Sequence, residues 1–243
     1  MPSLENPWDI LGKNNFNVHV KKGEIDPSAA DNILIAWPPI LSQLNKSFPN
    51  PKGIKVLDYG CGTGGFCNEL ASLGYDMTGI DTSAEMINTA KHNSSKSISY
   101  FVGNENVIPL NEEYNVIVSI MTAPFIKDLD GALRALIAHL RKDGLLFVVD
   151  FNREWVKESL RRKLWFVHFD SSDFPKEGMK TFGSLSTPVY IRDSSDYEEL
   201  TKTNNFKRIL NVSPPFTSKF IKKYPEYTPV NVPEYLILGY KKL

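Results

Sequence analysis

The chain has 243 residues, among them 28 basic and 28 acidic side chains. That length suffices for one sizeable buried core, and the balanced charge gives no global field toward a polyanion or an anionic membrane. No run of about 18 apolar residues occurs, and the start MPSLENPWDI lacks the basic and apolar regions of a leader, so a soluble cytoplasmic protein is expected.

Residues 1–50 read as an N-terminal arm and helical lid that precede the core sheet. Asp26 and Pro27 mark a helix start, and Trp37-Pro38-Pro39 is expected to interrupt that helix. From residue 54 apolar runs alternate with helical periodicity, which predicts crossover units and a mostly parallel sheet. IKVLDYG is the first strand. The helix after it places Phe66, Leu70 and Leu73 on one face and stops at Gly74. YDMTGID is the second strand, and Thr82 and Glu85 have the spacing of a capping box for the next helix.

ISYFVG and YNVIVSI follow as the third and fourth strands. A helix carrying Leu133, Leu136, Ile137 and Leu140 on one face is expected to end at Gly144, before the strand LLFVVD. Residues 151–192 break this rhythm with aromatic residues among charges and read as an inserted substrate cap. Residues 193–243 resume it with a helix from about Ser194, the strand FKRILNV, a Pro-rich aromatic loop and the strand EYLILGY. The expected fold is α/β: a Rossmann-like, seven-stranded, mostly parallel sheet with an antiparallel last strand and a small inserted cap, residues 51–150 forming the ligand-binding core.

Gly60, Gly62 and Gly65 satisfy G-x-G-x-x-G between a strand and a helix, and Asp81 follows at about the distance of a ribose-binding acid. A dinucleotide is one reading of that spacing. Asp58 argues against it, because a carboxylate at the loop opposes a diphosphate and suits a ligand with cationic groups. Cys61 and Cys67 are the only cysteines and read as free thiols, since no second pair completes a metal set.

VLDYGCGTGGF resembles motif I of class I S-adenosylmethionine-dependent methyltransferases of the small-molecule type. GIDTSAEM, FVGNENVIPL, YNVIVSI and LRKDGLLFVV resemble later segments of that family, in order, over about residues 54–150. The resemblance implies S-adenosyl-L-methionine as cofactor and S-adenosyl-L-homocysteine as product. It places Asp58, Tyr59, Gly60, Cys61 and Gly62 on the methionine part, Asp81 on both ribose hydroxyls, and Thr82 and Met86 beside the adenine. Asn104 stands where the family usually has Asp and, with Glu105, falls at the adenine amine; Ser119 and Met121 fall at the strand edge that faces the methionine.

Methyl transfer requires alignment and exclusion of water more than a dedicated catalytic group. Where the acceptor is a phenol or enol a base helps, and histidine is the natural candidate. His19 in the arm and His168 in the insertion are the catalytic candidates, whereas His92 and His139 sit near predicted helix ends, where terminal carbonyls account for them. Asp150, Asn152 and Tyr190 could also meet an acceptor, with capping or packing as the alternative.

The expected partner is a small, aromatic or apolar methyl acceptor rather than nucleic acid or a membrane, with the protein a monomer or homodimer. The alternatives are an RNA or protein methyltransferase, for which only Arg161-Arg162-Lys163 and Lys222-Lys223 offer basic clusters, and a protein of the same fold without turnover.

Overall fold

The computed structural model describes residues 6–13, 20–21, 24–25, 27–169, 176–183, 185–202, 205–227 and 232–243. The arm contributes helix α1 (Pro7–Lys13) and a hairpin of β1 (Val20–Lys21) and β2 (Glu24–Ile25), which pair only with each other. The expected cap Asp26 lies outside the described residues, and Pro27 opens a 3-10 turn. Trp37-Pro38-Pro39 does not interrupt the lead-in. A π turn over Asn32–Ala36 runs straight into α2 (Trp37–Ser47), with Trp37 donating its amide to Asn32 O. The prolines occupy the first turn of α2, where a missing N–H leaves no ladder bond unmade.

The core then alternates β3 (Lys55–Tyr59), α3 (Gly65–Ser72), β4 (Asp76–Asp81), α4 (Ala84–Asn93), β5 (Ser99–Val102), β6 (Tyr114–Ile120), α5 (Leu129–Ala138) and β7 (Leu140–Phe151). An insertion follows, made of α6 (Arg153–Arg161), β8 (Phe166–Val167), β9 (Glu177–Phe182) and β10 (Leu185–Tyr190). Then come α7 (Ser194–Lys202), β11 (Phe206–Val212), α8 (Ser218–Lys223) and β12 (Tyr235–Lys242). The seven-stranded sheet has the order β11-β12-β7-β6-β3-β4-β5. β12 runs antiparallel to both its neighbours, while the pairings among β3 to β7 are parallel.

Strand alternation sends side chains to two packed faces, which explains why the central strands read as unbroken apolar runs. Val56, Val118 and Phe147 join the layer of α2 and α3, whereas Leu57, Ile117 and Leu146 join the layer of α5 and α7. After β5 the chain returns to the opposite side of β3, so the carboxyl edge between β3 and β6 is the switch point at which such sheets open a crevice.

Three local expectations give way to tertiary detail. Leu73 is half exposed at the end of α3, and Cys67 takes its place in the buried stripe with Phe66 and Leu70. Ser83, not Thr82, caps α4, its Oγ accepting from Met86 N at 3.1 Å. The helix α5 ends at Ala138 rather than at Gly144, which lies in β7 where the pairing to β6 shifts register; a Cβ there would stand 2.8 Å from the carbonyl oxygen of Arg141.

The insertion forms a three-stranded antiparallel sheet with α6 over a small core of its own, in which Trp155 stacks on Phe151 and Trp165 at 5.6 and 5.1 Å. Asn152 caps α6 through Glu154 N at 3.0 Å. Asp150 is fully buried at the end of β7 and accepts from Tyr197 Oη and from Phe151 N, so both strand-end residues have structural partners. Burial pushes the Asp150 carboxyl up to about 7 against the Tyr197 hydrogen bond. Tyr197→Phe removes a donor from a buried acid and should lower unfolding free energy by about 1–3 kcal/mol, read by urea denaturation. An unchanged midpoint would show that Asp150 does not depend on this bond.

Candidate active site

At the switch point β3 runs into a tight loop. Gly60 and Cys61 both donate their amides to Ile80 O, at 2.7 and 3.0 Å, which folds the loop back across the end of β4. Gly60 has φ +77, and a Cβ there would collide with Thr122, so neither the conformation nor the space admits another residue. The next exposed amide, Gly62 N, donates to Asp81 Oδ2 at 2.9 Å, while Asp81 Oδ1 accepts from Ser83 N at 2.9 Å.

This loop forms one wall of a cavity of about 380 Å³. Asp58, Tyr59, Gly60, Cys61 and Gly62 line it together with Asp81, Thr82, Met86 and Met121, so nine of the expected ligand-binding residues converge on one space. Asp58 is 2% exposed, and its carboxyl accepts from Cys67 Sγ at 3.4 Å. Burial pushes its pKa up to about 7, the Cys67 bond opposes that, and the charge of Asp81 adds to it. Asp81 is likewise raised, first by burial. Two acids at one wall without a cation form an electrostatic deficit that a positively charged ligand would relieve.

Three expected residues are placed elsewhere. Asn104 Oδ1 accepts from Asn106 N and Nδ2 at 3.2 and 3.1 Å, capping the 3-10 turn Glu105–Val107. Glu105 accepts from Tyr59 Oη at 2.6 Å and so braces the loop from behind. Ser119 is buried within β6, and Ile120, Met121 and Thr122 reach the cavity in its stead. Met121 does so with φ +55, a left-handed conformation rare for a side chain of its size and common at functional sites.

His168 is exposed and does not line the cavity; His19 lies outside the described residues. His92 and His139 end α4 and cap α5, as expected, and His139 Nδ1 lies 2.8 Å from Glu112 O. Tyr190 lies away from the cavity on β10. Among the described residues no cluster could hold a metal ion, and no helix is long and apolar enough to cross a membrane.

The arm and the insertion complete the cavity. Asp9 Oδ1 accepts from Ser83 Oγ at 2.6 Å and from Glu85 N at 3.3 Å, so α1 is pinned on the N-terminus of α4. That places Trp8 against Phe125 and Phe182 at 4.7 and 5.8 Å. Phe151 and Lys180 extend this wall, and Asp31, Glu234 and Tyr235 close the side near β12. From the sequence Phe182 stood out only as one of the aromatic residues of the insertion that could line a pocket, and Phe125 only as part of the segment after the fourth strand; Trp8, Asp9, Asp31, Phe151, Lys180, Glu234 and Tyr235 were not singled out. The alternation of Lys180 and Phe182 in β9 was the available signal, since both face one side of their strand.

A family model for a methyltransferase domain matches residues 36–207, most of the chain. The chain belongs to this family, of the class I S-adenosylmethionine-dependent kind. A malonyl-[acyl-carrier protein] O-methyltransferase of Bacillus anthracis is 32% identical over 122 residues, 49% of this chain and 45% of the relative. A ubiquinone biosynthesis O-methyltransferase of Bradyrhizobium diazoefficiens is 32% identical over 106 residues, 42% of each. The match thus spans under half the length of these curated relatives.

Among solved structures, an S-adenosylmethionine-dependent methyltransferase of Mesorhizobium loti superposes with a TM-score of 0.67 at 17% identity, covering 88% of this chain and 98% of its own. A magnesium protoporphyrin IX methyltransferase of Synechocystis PCC 6803 with bound S-adenosylhomocysteine gives 0.64 at 13% identity, covering 97% and 94%. At these identities the likeness concerns the fold.

The raised pKa of Asp58 makes a signed prediction. In the folded state without ligand the carboxyl keeps its proton to about 7, whereas the unfolded chain releases it near the ordinary 3.8. Its contribution to stability is therefore whole below about 3.8 and is lost progressively as pH rises from there through about 7. In urea titrations, Asp58→Asn should gain stability relative to the wild type across that window, and a difference independent of pH would contradict the assignment.

Proposed function

We propose that the protein transfers a methyl group from S-adenosylmethionine to a small acceptor with a flat apolar body, and that oxygen is the accepting atom. The observation that carries this reading is the division of one continuous cavity. The glycine loop with Asp58, Asp81 and Met86 forms one half, and Trp8, Phe125, Phe151 and Phe182 form the other. The names of the O-methyltransferase relatives support oxygen as the acceptor atom, and the aromatic wall supports a flat apolar substrate.

In this reading the donor supplies a carbon activated by a positive sulfur. Asp58 faces its cationic end, directly or through water, Asp81 accepts from the ribose hydroxyls, and Met86 packs beside the adenine. The amide of Gly62 and the amide of Ser83 hold the Asp81 carboxylate in place for that task. The arm residue Trp8 and the insertion residue Phe182 exclude water above the acceptor and fix its plane, which is the larger part of what such a displacement requires. Residues 151–192 act as the cap that selects the acceptor.

Incubation of a cell extract with methyl-labelled donor, followed by separation of small molecules, RNA and protein, tests the acceptor class. Label is expected in the small-molecule fraction as a methyl ether or ester, and label confined to RNA or protein would overturn it. Asp81→Ala should weaken S-adenosylhomocysteine binding about ten-fold or more, since hydrogen bonds to a charged group are worth about 1.5–3 kcal/mol. Calorimetry showing an unchanged affinity would remove Asp81 from the ribose.

A further inference from the structure

Three ionisable side chains from three separate parts of the chain meet on the acceptor side of the cavity. Asp31 comes from the lead-in to α2, Lys180 from β9 of the insertion, and Glu234 from the residue before β12; they are 7%, 8% and 8% exposed. A core has no use for such a group, because buried acids and amines cost free energy unless they are paired. Tyr235 Oη donates to Asp31 Oδ2, yet Asp31 Oδ1 is buried with no hydrogen-bond partner placed on it among the described residues. Lys180 Nζ sits among aromatic rings, 4.8 Å from the centroid of Phe182 and 5.1, 5.8 and 5.9 Å from those of Phe166, Phe151 and Trp165. Those rings keep part of its charge stabilised while leaving its N–H donors uncommitted to them.

We propose that Asp31, Lys180 and Glu234 form an acceptor-ionising cluster, in which the carboxyl pair takes the proton of a phenolic or enolic hydroxyl and the Lys180 ammonium stabilises the oxyanion. This rests on the methyl-transfer reading above and specifies its substrate class. Two acids and one ammonium with little water settle near zero net charge, one carboxyl protonated and the other ionised. A charged acceptor of either sign would gain from one of these partners and lose to the other. A neutral hydroxyl suits both, donating to the carboxylate and becoming an anion beside Lys180.

The atoms balance without another reactant. The acceptor O–H bond breaks and its proton joins the carboxylate. The oxygen lone pair forms the new bond to the methyl carbon as the carbon–sulfur bond breaks and its electron pair returns to sulfur. The proton then leaves for solvent when products depart.

The surroundings agree with this role. Burial draws Lys180 down to about 8, with Glu234 and Asp31 holding it up, while burial and Asp31 push Glu234 well above its ordinary range. Asp31 is raised by burial against the bond from Tyr235. The other titratable groups nearby are Tyr235 and Tyr227 beside Asp31, and Tyr59, Asp58 and Asp81 on the glycine-loop wall.

The test uses 4-nitrophenol, whose ionised form absorbs visible light, added to protein saturated with S-adenosylhomocysteine. The bound probe should ionise about one pH unit or more below the free probe, as expected beside an opposite charge, and Lys180→Met should abolish that shift. With S-adenosylmethionine, Glu234→Gln and Asp31→Asn should each slow loss of the phenol by about 100-fold, the scale of general-base catalysis. Both should also lose the rising limb of the pH profile while binding S-adenosylhomocysteine as the wild type does. A probe that ionises as in water, carboxyl variants with wild-type rate and profile, or methylation of 4-nitrobenzoate in place of the phenol would each overturn the cluster. Wild-type protein that does not bind S-adenosylhomocysteine would instead strike the methyl-transfer reading beneath it.

Discussion

The site depends on two carboxylates at the ends of neighbouring parallel strands, Asp58 buried and Asp81 partly buried. Burial raises both carboxyls, and the charge of Asp81 adds to the cost of ionising Asp58, because β3 and β4 run in register and the glycine loop folds over both. The loop can do so only with Gly60 in a left-handed conformation against Thr122, and only because its amides find Ile80 O and Asp81 as acceptors. An unliganded site of this kind is under electrostatic tension. In the proposed reading that tension favours a cationic ligand over a diphosphate, a choice the glycine spacing alone did not decide.

The part of the site that a single strand–loop–helix unit builds was legible in the sequence. Asp58, Gly60, Gly62 and Asp81 lie close along the chain, and their placement on one cavity follows from strand ends and turn geometry. The seven-stranded sheet was legible for the same reason, since each crossover writes its own periodicity. The differences in placement are local and have local causes. Asn104 is placed by its turn rather than by the cavity, and Ser119 sits one residue short of the strand edge.

The acceptor side was legible only as regions. Asp31, Lys180 and Glu234 are more than fifty residues apart along the chain, and no spacing rule joins an arm, an insertion and the lead into a terminal strand. Each alone reads as an ordinary charged residue. Their convergence is a product of tertiary packing, in which α1 is pinned by Asp9 on α4 and the insertion is closed around Phe151 and Trp155. Family motifs therefore point to the glycine-loop side of the cavity and leave the opposite side to the fold.

The glycine-loop half and the aromatic half open into one continuous cavity. In the proposed reading, excluding water from it would strengthen the interaction of Asp58 with a cation on one side and of Lys180 with an oxyanion on the other. The donor half is the premise on which the rest stands. Calorimetric titration of the unliganded protein with S-adenosylhomocysteine and, separately, with NAD tests it most directly. Saturable heat with S-adenosylhomocysteine and none with NAD is the predicted result, and the reverse pattern would contradict the reading of this cavity as a methyl-donor site.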